Sequence, residues 1–591
     1  MSIITIHRKF LNQTILFLLL LCLFSPLQAQ EPVSFSLSKA FQQPKYETRA
    51  VWITVLGNLD WPETYALSPT SIAQQKKEIC KQLDEFKAAN FNTILMQTRI
   101  RGDVIYPSDI EPFSDALTGT CGKNPGYDPL AFVIEECHKR GMECHAWVVA
   151  VPLGSDKHIK NQGKTSIARK KPSICMHYRG FWYLNPGHPE AKEYLFSIVK
   201  EMVTRYDLDG VNFDYIRYPD GRTRIPDQST FRKYGKGRSL AQWRRDNITE
   251  MVRYIYKGIK EIKPYIKVGS SPLGKYKDTN RYPSRGWNAY HTVFQDARSW
   301  LKEGIHDIVC PMVYFREENF YPFVLDWQEN CNGRTVVPGL GVYFLEEANW
   351  PLSDIEQQIY FTRSAGVPGQ AYFRARFLLK NCSGVFDVIK RDAYPYPALV
   401  QPMKWQDSIP PTHPANLTVR KENGKITVSW NASYDHSARS AKDTGIRYHV
   451  YASTTEPVNT DLPQNLIATN LRDTCYVTDA EQGKKLYFAV TAVDCYGNES
   501  RSPQDNGQPE GSQSVTNSHL LSVKEIPEAR YLIVTDAYGR ELLKQPYQRK
   551  LDISSLEEGA YTLKFTDVKG MLLEKEPFVK GYSGNTIKLA N

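Results

Sequence analysis

The sequence predicts an α/β chain, a (β/α)8 TIM barrel followed by two small β-sandwich-like domains. Three observations predict it. Short apolar runs alternate with amphipathic helical stretches over residues 45–400, as a parallel barrel requires. No Gly-rich phosphate loop follows any of these runs, which sets aside an open doubly wound sheet. Beyond residue 409 the hydrophobic period changes to two. At 591 residues, with 41% hydrophobic and 23% charged, the chain is globular and too long for one core.

At the start, Arg8 and Lys9 precede an apolar run over residues 15–24 and then Ser25-Pro26-Leu27-Gln28-Ala29. A charged segment, a short apolar core and a small residue at the cut read as a signal peptide over residues 1–29. The chain is therefore expected in the periplasm or at the cell surface. Cys22 offers lipid anchoring as the alternative, opposed by the bulky Leu21 before it. No transmembrane segment is expected in the mature chain. Removing residues 1–30 takes away Arg8 and Lys9 and no acid, so the formal charge falls from +10 to +8. A basic exported chain suits an anionic polymer. Nucleic acid is not an expected partner, since no binding motif is present. The cysteines left after Cys22 show no CxxC pairs, so no metal and no cofactor is expected. Cys475 and Cys495 lie in one small domain and are open to pairing.

The barrel elements follow in order. Residues 50–55 form the first strand, and residues 71–89 a helix with Ile72, Ile79, Leu83 and Phe86 on one face. Residues 93–97 form the second strand, running out into Gln97, Arg99, Arg101 and Asp103. A helix over 129–140 ends at Gly141, and the third strand, 143–149, carries His145 and Trp147. The helix over 189–206 leads into the fourth strand, 210–213. Helix 247–262, strand 267–270, helix 292–301 and strand 307–313 come next. The seventh strand is 336–342, its helix 354–365, and the eighth strand 369–373. Two loops are long and basic: residues 150–182, with Lys157, Lys160, Lys164, Arg169, Lys170 and Lys171, and residues 215–245. Such runs are either solvated faces or flexible basic walls beside a cleft.

The stretch from Asp207 to Asp220 is the pivot. Its apolar run breaks into Asp214, Tyr215, Arg217 and Tyr218, and the C-terminal end of a barrel strand is where catalytic groups sit. The plainer reading is a strand end capped by solvated side chains. Glycoside hydrolysis needs two carboxyl groups flanking the bond. Asp214 is the first candidate. Arg217 or another nearby cation is expected to lower its pKa and hold it ionised, as a nucleophile or base requires; a structural ion pair is the alternative. Asp103 is the candidate partner, unless it only caps the Arg-Gly-Asp turn. Glu317, Glu318, Glu346 and Glu347 are further options.

Gln97, Arg99, His145, Tyr215, Arg217, Tyr218, Tyr314 and Arg374 lie at or just beyond strand ends, placed to hold sugar hydroxyls or acetamides. Trp147 and Tyr343 are candidates for stacking on a ring; His145 and Trp147 are equally readable as core. Ser271 lacks a Gly-x-Ser-x-Gly elbow, which argues against serine-hydrolase chemistry.

After Ile409-Pro410-Pro411-Thr412 the alternating runs 417–419, 425–430, 448–452 and 486–493 define a β-sandwich over residues 409–505. It resembles a fibronectin type III domain. A polar linker over 505–518 leads to a last β-unit, residues 519–591. With Gly539-Arg540 and Leu556-Glu557-Glu558-Gly559-Ala560-Tyr561, that unit resembles the C-terminal sorting modules of Bacteroidota secretion cargo, or is a plain accessory domain.

Several barrel segments together resemble one family, the glycosyl-hydrolase-like 10 proteins. They are Glu47-Thr48-Arg49-Ala50-Val51-Trp52, Gln97-Thr98-Arg99 with Gly102-Asp103, His145-Ala146-Trp147, Leu184-Asn185-Pro186-Gly187-His188-Pro189, Asp209-Gly210-Val211-Asn212-Phe213-Asp214, Ser271-Pro272-Leu273-Gly274 and Val309-Cys310-Pro311-Met312-Val313-Tyr314. The resemblance implies a glycosidase-like barrel over residues 45–400 with cell-wall glycan, denuded peptidoglycan strands, as substrate. Many relatives carry two adjacent acids where this chain has Asp214-Tyr215, and Gln where it has Met312. The expectation is an exported glycoside hydrolase using paired carboxylates on cell-envelope glycan, with envelope proteins as further partners through the β-domains. Tyr215, standing where a second acid is usual, keeps open the alternative of a catalytically weak glycan-binding protein.

Overall fold

The computed structural model describes residues 37–220, 224–281, 286–435, 437, 445–480, 485–502, 520–536, 540–553, 555–556, 559–568, 570–580 and 586–588. The expected signal peptide with Cys22, the 505–518 linker, Gly539, Glu557 and Glu558 lie outside these residues.

In the first unit, parallel strands run in the order β1 (Thr48–Ile53), β2 (Thr93–Arg99), β3 (Glu143–Val149), β4 (Gly210–Asp214), β5 (Lys267–Ser270), β6 (Ile308–Val309), β7 and β8 (Gly369–Tyr372). The seventh strand is in two pieces, Thr335–Val336 and Gly339–Leu340, separated by Val337 and Pro338. Its first piece pairs with β6 and its second with β8, while β8 pairs with β1. Because one strand bridges the two sheet edges, the sheet closes on itself and leaves no edge exposed.

Side chains alternate along each strand. Val51, Ile53, Ile94, Met96, Ala146, Val148, Val211 and Phe213 join the large core shared with the helices. Ala50, Trp52, Leu95, Trp147, Ile308, Cys310, Val337 and Ala371 form a separate inner cluster that fills the barrel. On β3 the inward set includes Trp147, and on β4 it ends in Asp214. That parity, fixed by the outward apolar residues, delivers Asp214 to the barrel mouth.

The helices are α1 (Pro69–Ala88), α2 (Pro129–Lys139), α3 (Pro189–Arg205), α4 (Leu240–Ile262), α5 (Ala297–Lys302), α6 (Tyr321–Glu329) and α7 (Leu352–Ser364). The α1 start is set by Ser68, whose hydroxyl accepts the Ser71 N–H, followed by Pro69. Ile79, Leu83 and Phe86 are its buried stripe, as the spacing predicts.

Four expectations change. The helix before β5 begins earlier, at Leu240, because Ser239 caps it through the Gln242 N–H. The helix expected over 292–301 is split into Ala289–Thr292 and α5; Phe294 between them has a left-handed φ of 58°. The helix α6 lies where the sequence reading had none. The loop after β3 carries regular structure of its own: Pro152–Ser155, Phe181–Leu184 and Cys175–Tyr178 form a three-stranded antiparallel sheet with short helices between them.

The second unit is all-β. Two three-stranded antiparallel sheets, Ala415–Glu422 with Lys425–Asn431 and Cys475–Asp479, and Leu466–Leu471 with Arg447–Ser453 and Tyr487–Val493, share one core of Ile426, Val428, Trp430, Tyr448, Val450, Phe488 and Val490. Cys475 and Cys495 are not joined to each other. Further on, a five-stranded sheet and a two-stranded one share a second core around Leu521, Leu532, Val534, Leu551, Leu563 and Phe565.

Candidate active site

Asp214 is the last residue of β4 and only 6% exposed. Its Oδ1 accepts the N–H of Tyr215 at 2.7 Å and its Oδ2 accepts the indole N–H of Trp147 at 3.2 Å. Burial is the largest influence on this carboxyl and disfavours its charge. The Arg217 charge, the Tyr215 N–H and the Trp147 indole oppose burial but lose, so the pKa is pushed up to about 6. The sequence reading had Arg217 holding Asp214 ionised. The order of magnitudes is the reverse, because Arg217 does not come within ion-pair distance and burial acts directly on the group.

The chain turns sharply at Tyr215, a non-glycine residue with a left-handed φ of 51°. Such a conformation costs on the order of 1 kcal/mol. It lets the Tyr215 N–H fold back onto Asp214 while the ring, 45% exposed, stands out at the mouth. Arg217 lays its guanidinium 4.5 Å from the Tyr215 ring centre and 5.8 Å from that of Trp287, another exposed aromatic. The floor beside Asp214 is aromatic: Phe373 makes edge contacts with Trp52, Trp147 and Tyr343 and stacks on Tyr314 at 5.4 Å. Burial first, and the Asp214 charge next, raise the Tyr314 phenol well above its ordinary value.

The structure thus brings Trp147, Tyr215, Arg217, Tyr314 and, through Tyr314, Tyr343 around Asp214. The other sequence candidates have local partners. Asp103 Oδ1 accepts the Arg101 N–H at 2.7 Å, and His158 Nε2 lies 3.6 Å away. Burial would raise its pKa, but His158, Ser114 and the Arg101 N–H together hold it low. Gln97 accepts the Val55 and Leu56 N–H groups at 2.9 and 2.7 Å. Arg99 is fully buried, bidentate to Glu111 at 2.8 and 2.7 Å, and donates to the carbonyls of Val149 and Ala150. His145 sits inside the barrel against Glu143 at 3.0 Å. The Tyr218 hydroxyl accepts from Asn247 at 3.1 Å, and Arg374 donates to Asp60 at 2.7 Å. Glu317 is exposed beside Arg316, and Glu346 is exposed beside Lys380.

Trp287, Phe373, Arg101 and Tyr183 belong to the mouth but were not among the sequence candidates. Only the strand-end position of Phe373 and Arg101 offered a signal for them. Among the described residues, no group of three or more His, Cys, Asp or Glu is arranged to hold a metal, and no helix is long and apolar enough to cross a membrane.

A closed parallel barrel with a protonatable carboxyl and open aromatics at the C-terminal strand ends is the layout of a sugar-cleaving enzyme, and comparison with known proteins gives the class directly. Residues 47–343 match the family described as glycosyl hydrolase-like 10. The glycosyl hydrolase YngK of Bacillus subtilis (strain 168) is 33% identical over 482 residues, covering 78% of this chain and 93% of that one. The glycosyl hydrolase DigH of Escherichia coli (strain K12) is 32% identical over 333 residues, covering 53% and 76%. Among solved structures, the glycoside hydrolase domain of PgaB (BpsB) from Bordetella bronchiseptica aligns at a TM-score of 0.40 and 15% identity, over 58% of this chain and 98% of that one. This chain is a glycoside hydrolase. It belongs to the glycosyl hydrolase-like 10 family.

Proposed function

We propose that the enzyme is exported and cleaves glycosidic bonds in cell-envelope glycan, the strands of peptidoglycan, with Asp214 passing the proton to the leaving oxygen. The observation that carries this reading is the Asp214 carboxyl, buried at a barrel mouth with a pKa of about 6. A group poised there exists in both forms near neutrality, which is what acid–base work on a glycosidic bond demands. The surrounding rings, Tyr215 and Trp287 outside and Tyr314 and Tyr343 beneath, suit the apolar faces of sugars. The net positive charge of the mature chain favours an anionic polymer. Asp103 is the second carboxyl in this reading; its engagement with Arg101 and His158 favours the competing view that it only holds the loop after β2.

The test is to incubate purified glycan strands, with and without stem peptides, with wild type, Asp214→Asn and Asp103→Asn, and to weigh the products. Loss of an acid–base group should cost about 10²–10⁴-fold in rate. Fragments from wild type that persist at full rate with Asp214→Asn would sink the assignment of Asp214. Full rate with Asp103→Asn would leave Asp103 a loop residue. Retention on the polymer with no fragments from any of the three would turn the reading to a glycan-binding barrel.

A further inference from the structure

Among the described residues, two guanidinium groups at the mouth lack the carboxylate that five buried arginines elsewhere in the barrel have. Arg49, Arg99, Arg244, Arg363 and Arg374 each make a close ion pair with a buried acid. Among the described residues Arg217 makes none, and its buried Nε has no hydrogen-bond partner there. It lies over the rings of Tyr215 and Trp287 and also reaches the Tyr215 phenol. Arg101 makes no ion pair among the described residues either, and its charge reaches the phenols of Tyr215 and Tyr183, as does that of Arg217. Tyr183 is carried in by the small sheet after β3, so four elements of the chain converge here: the ends of β2 and β4, that sheet, and the loop holding Trp287.

The spacing of charges matters. Asp214 acts on the Tyr215 phenol against the guanidiniums of Arg217 and Arg101. A half-buried guanidinium with an unpartnered N–H, set over two aromatic rings, is suited to a planar anion. The rings beside it, each 45% exposed, offer faces to a pyranose. We infer that Arg217 and Arg101, with Tyr215 and Trp287, form a subsite next to Asp214 for a sugar residue that carries a carboxylate, so that the enzyme selects acidic over neutral glycan.

This inference rests on the glycan-cleaving reading above but is tested by binding. The probe is a disaccharide of N-acetylglucosamine and N-acetylmuramic acid, as the free acid and as its methyl ester, titrated calorimetrically into the full-length Asp214→Asn protein. That background neither consumes the probe nor titrates at position 214. The free acid should bind about tenfold more tightly than the ester, as expected for a charge-assisted hydrogen-bonded pair. The preference should weaken with added salt. Arg217→Gln combined with Arg101→Gln should abolish it, and Arg217→Lys alone should retain part of it. The thermal midpoint checks folding, and since neither arginine makes an ion pair it should stay unchanged. Equal binding of acid and ester, no binding of either, or a preference that survives loss of both arginines would each overturn the inference. If wild type cleaves strands but no preference exists, the subsite fails and the hydrolase reading stands. If the preference exists but strands are not cleaved, the subsite stands and the substrate reading fails.

Discussion

The two ends of the barrel hold the same ingredients, a buried carboxyl and nearby arginines, and treat them in opposite ways. At the base, Glu47 receives Arg363 at 2.7 and 2.8 Å and Arg49 at 2.8 Å, and Arg49 also lies 4.1 Å over the Tyr394 ring. Burial would raise the Glu47 pKa, but the two arginine charges and their hydrogen bonds outweigh it and hold the carboxylate ionised. At the mouth, Asp214 has one neutral indole, one backbone N–H and a more distant arginine, and burial wins. A carboxylate at full coordination fastens β1 to α7. One left short of donors keeps a proton within reach. The contrast matches the division of labour in this architecture, stability at the N-terminal face and chemistry at the C-terminal one.

The largest effect should come from breaking the satisfied end. Glu47→Ala leaves two buried guanidiniums unpaired and should cost about 3–5 kcal/mol, read as a lowered denaturation midpoint of the barrel. A change under about 1 kcal/mol would mean the two ends are not different in kind.

Next is Asp214→Asn, which should do the opposite and stabilise. The folded pKa, about 6, lies above the ordinary aspartate value of 3.8, so between these two pH values the unfolded chain is ionised and the folded one is not. Wild-type stability therefore falls as pH rises through this window, and the deficit is complete above it, on the order of 3 kcal/mol. The Asn variant should unfold at higher temperature at pH 7.5 and at the same temperature near pH 4. Glu47 has the opposite sign: its contribution is present above the ordinary Glu range and lost on acidification through its lowered pKa.

The pH–rate profile sharpens the same contrast. As proton donor, Asp214 should make kcat/KM fall as pH rises through about 6. A rate that instead rises through that value would make it the base or nucleophile, and the proton donor would have to be sought elsewhere. The smallest effect should be that of Tyr215→Gly, which relieves the left-handed backbone at the cost of a ring. It should leave stability within about 1 kcal/mol while raising KM.

Much of the barrel was legible because outward-facing apolar residues impose a period that needs no partner to be read. Val211 and Phe213 alone fix that Asp214 points inward. What was not legible is whether an inward polar group is already occupied. Gln97, Arg99 and Arg374 stand at strand ends as Arg217 does, but their partners, the Val55 and Leu56 N–H groups, Glu111 and Asp60, come from segments that only folding brings near. The sheet inside the loop after β3 was hidden for a related reason. Its strands are four residues each, too short for a period, and lysines on the helices between them read as solvated. Trp287 lay in a loop with no regular spacing at all. The resemblance to the glycosyl-hydrolase-like 10 family, by contrast, was carried by strand-end motifs.

The bond between the Trp147 indole and Asp214 makes this buried carboxyl visible to light. An indole whose N–H rests on a carboxylate emits differently once that carboxylate is protonated, so the protein contains its own optical indicator at the reacting group. Subtracting the emission of Asp214→Asn from that of wild type across pH removes the other ten tryptophans and leaves the titration of a single side chain, followed without any substrate.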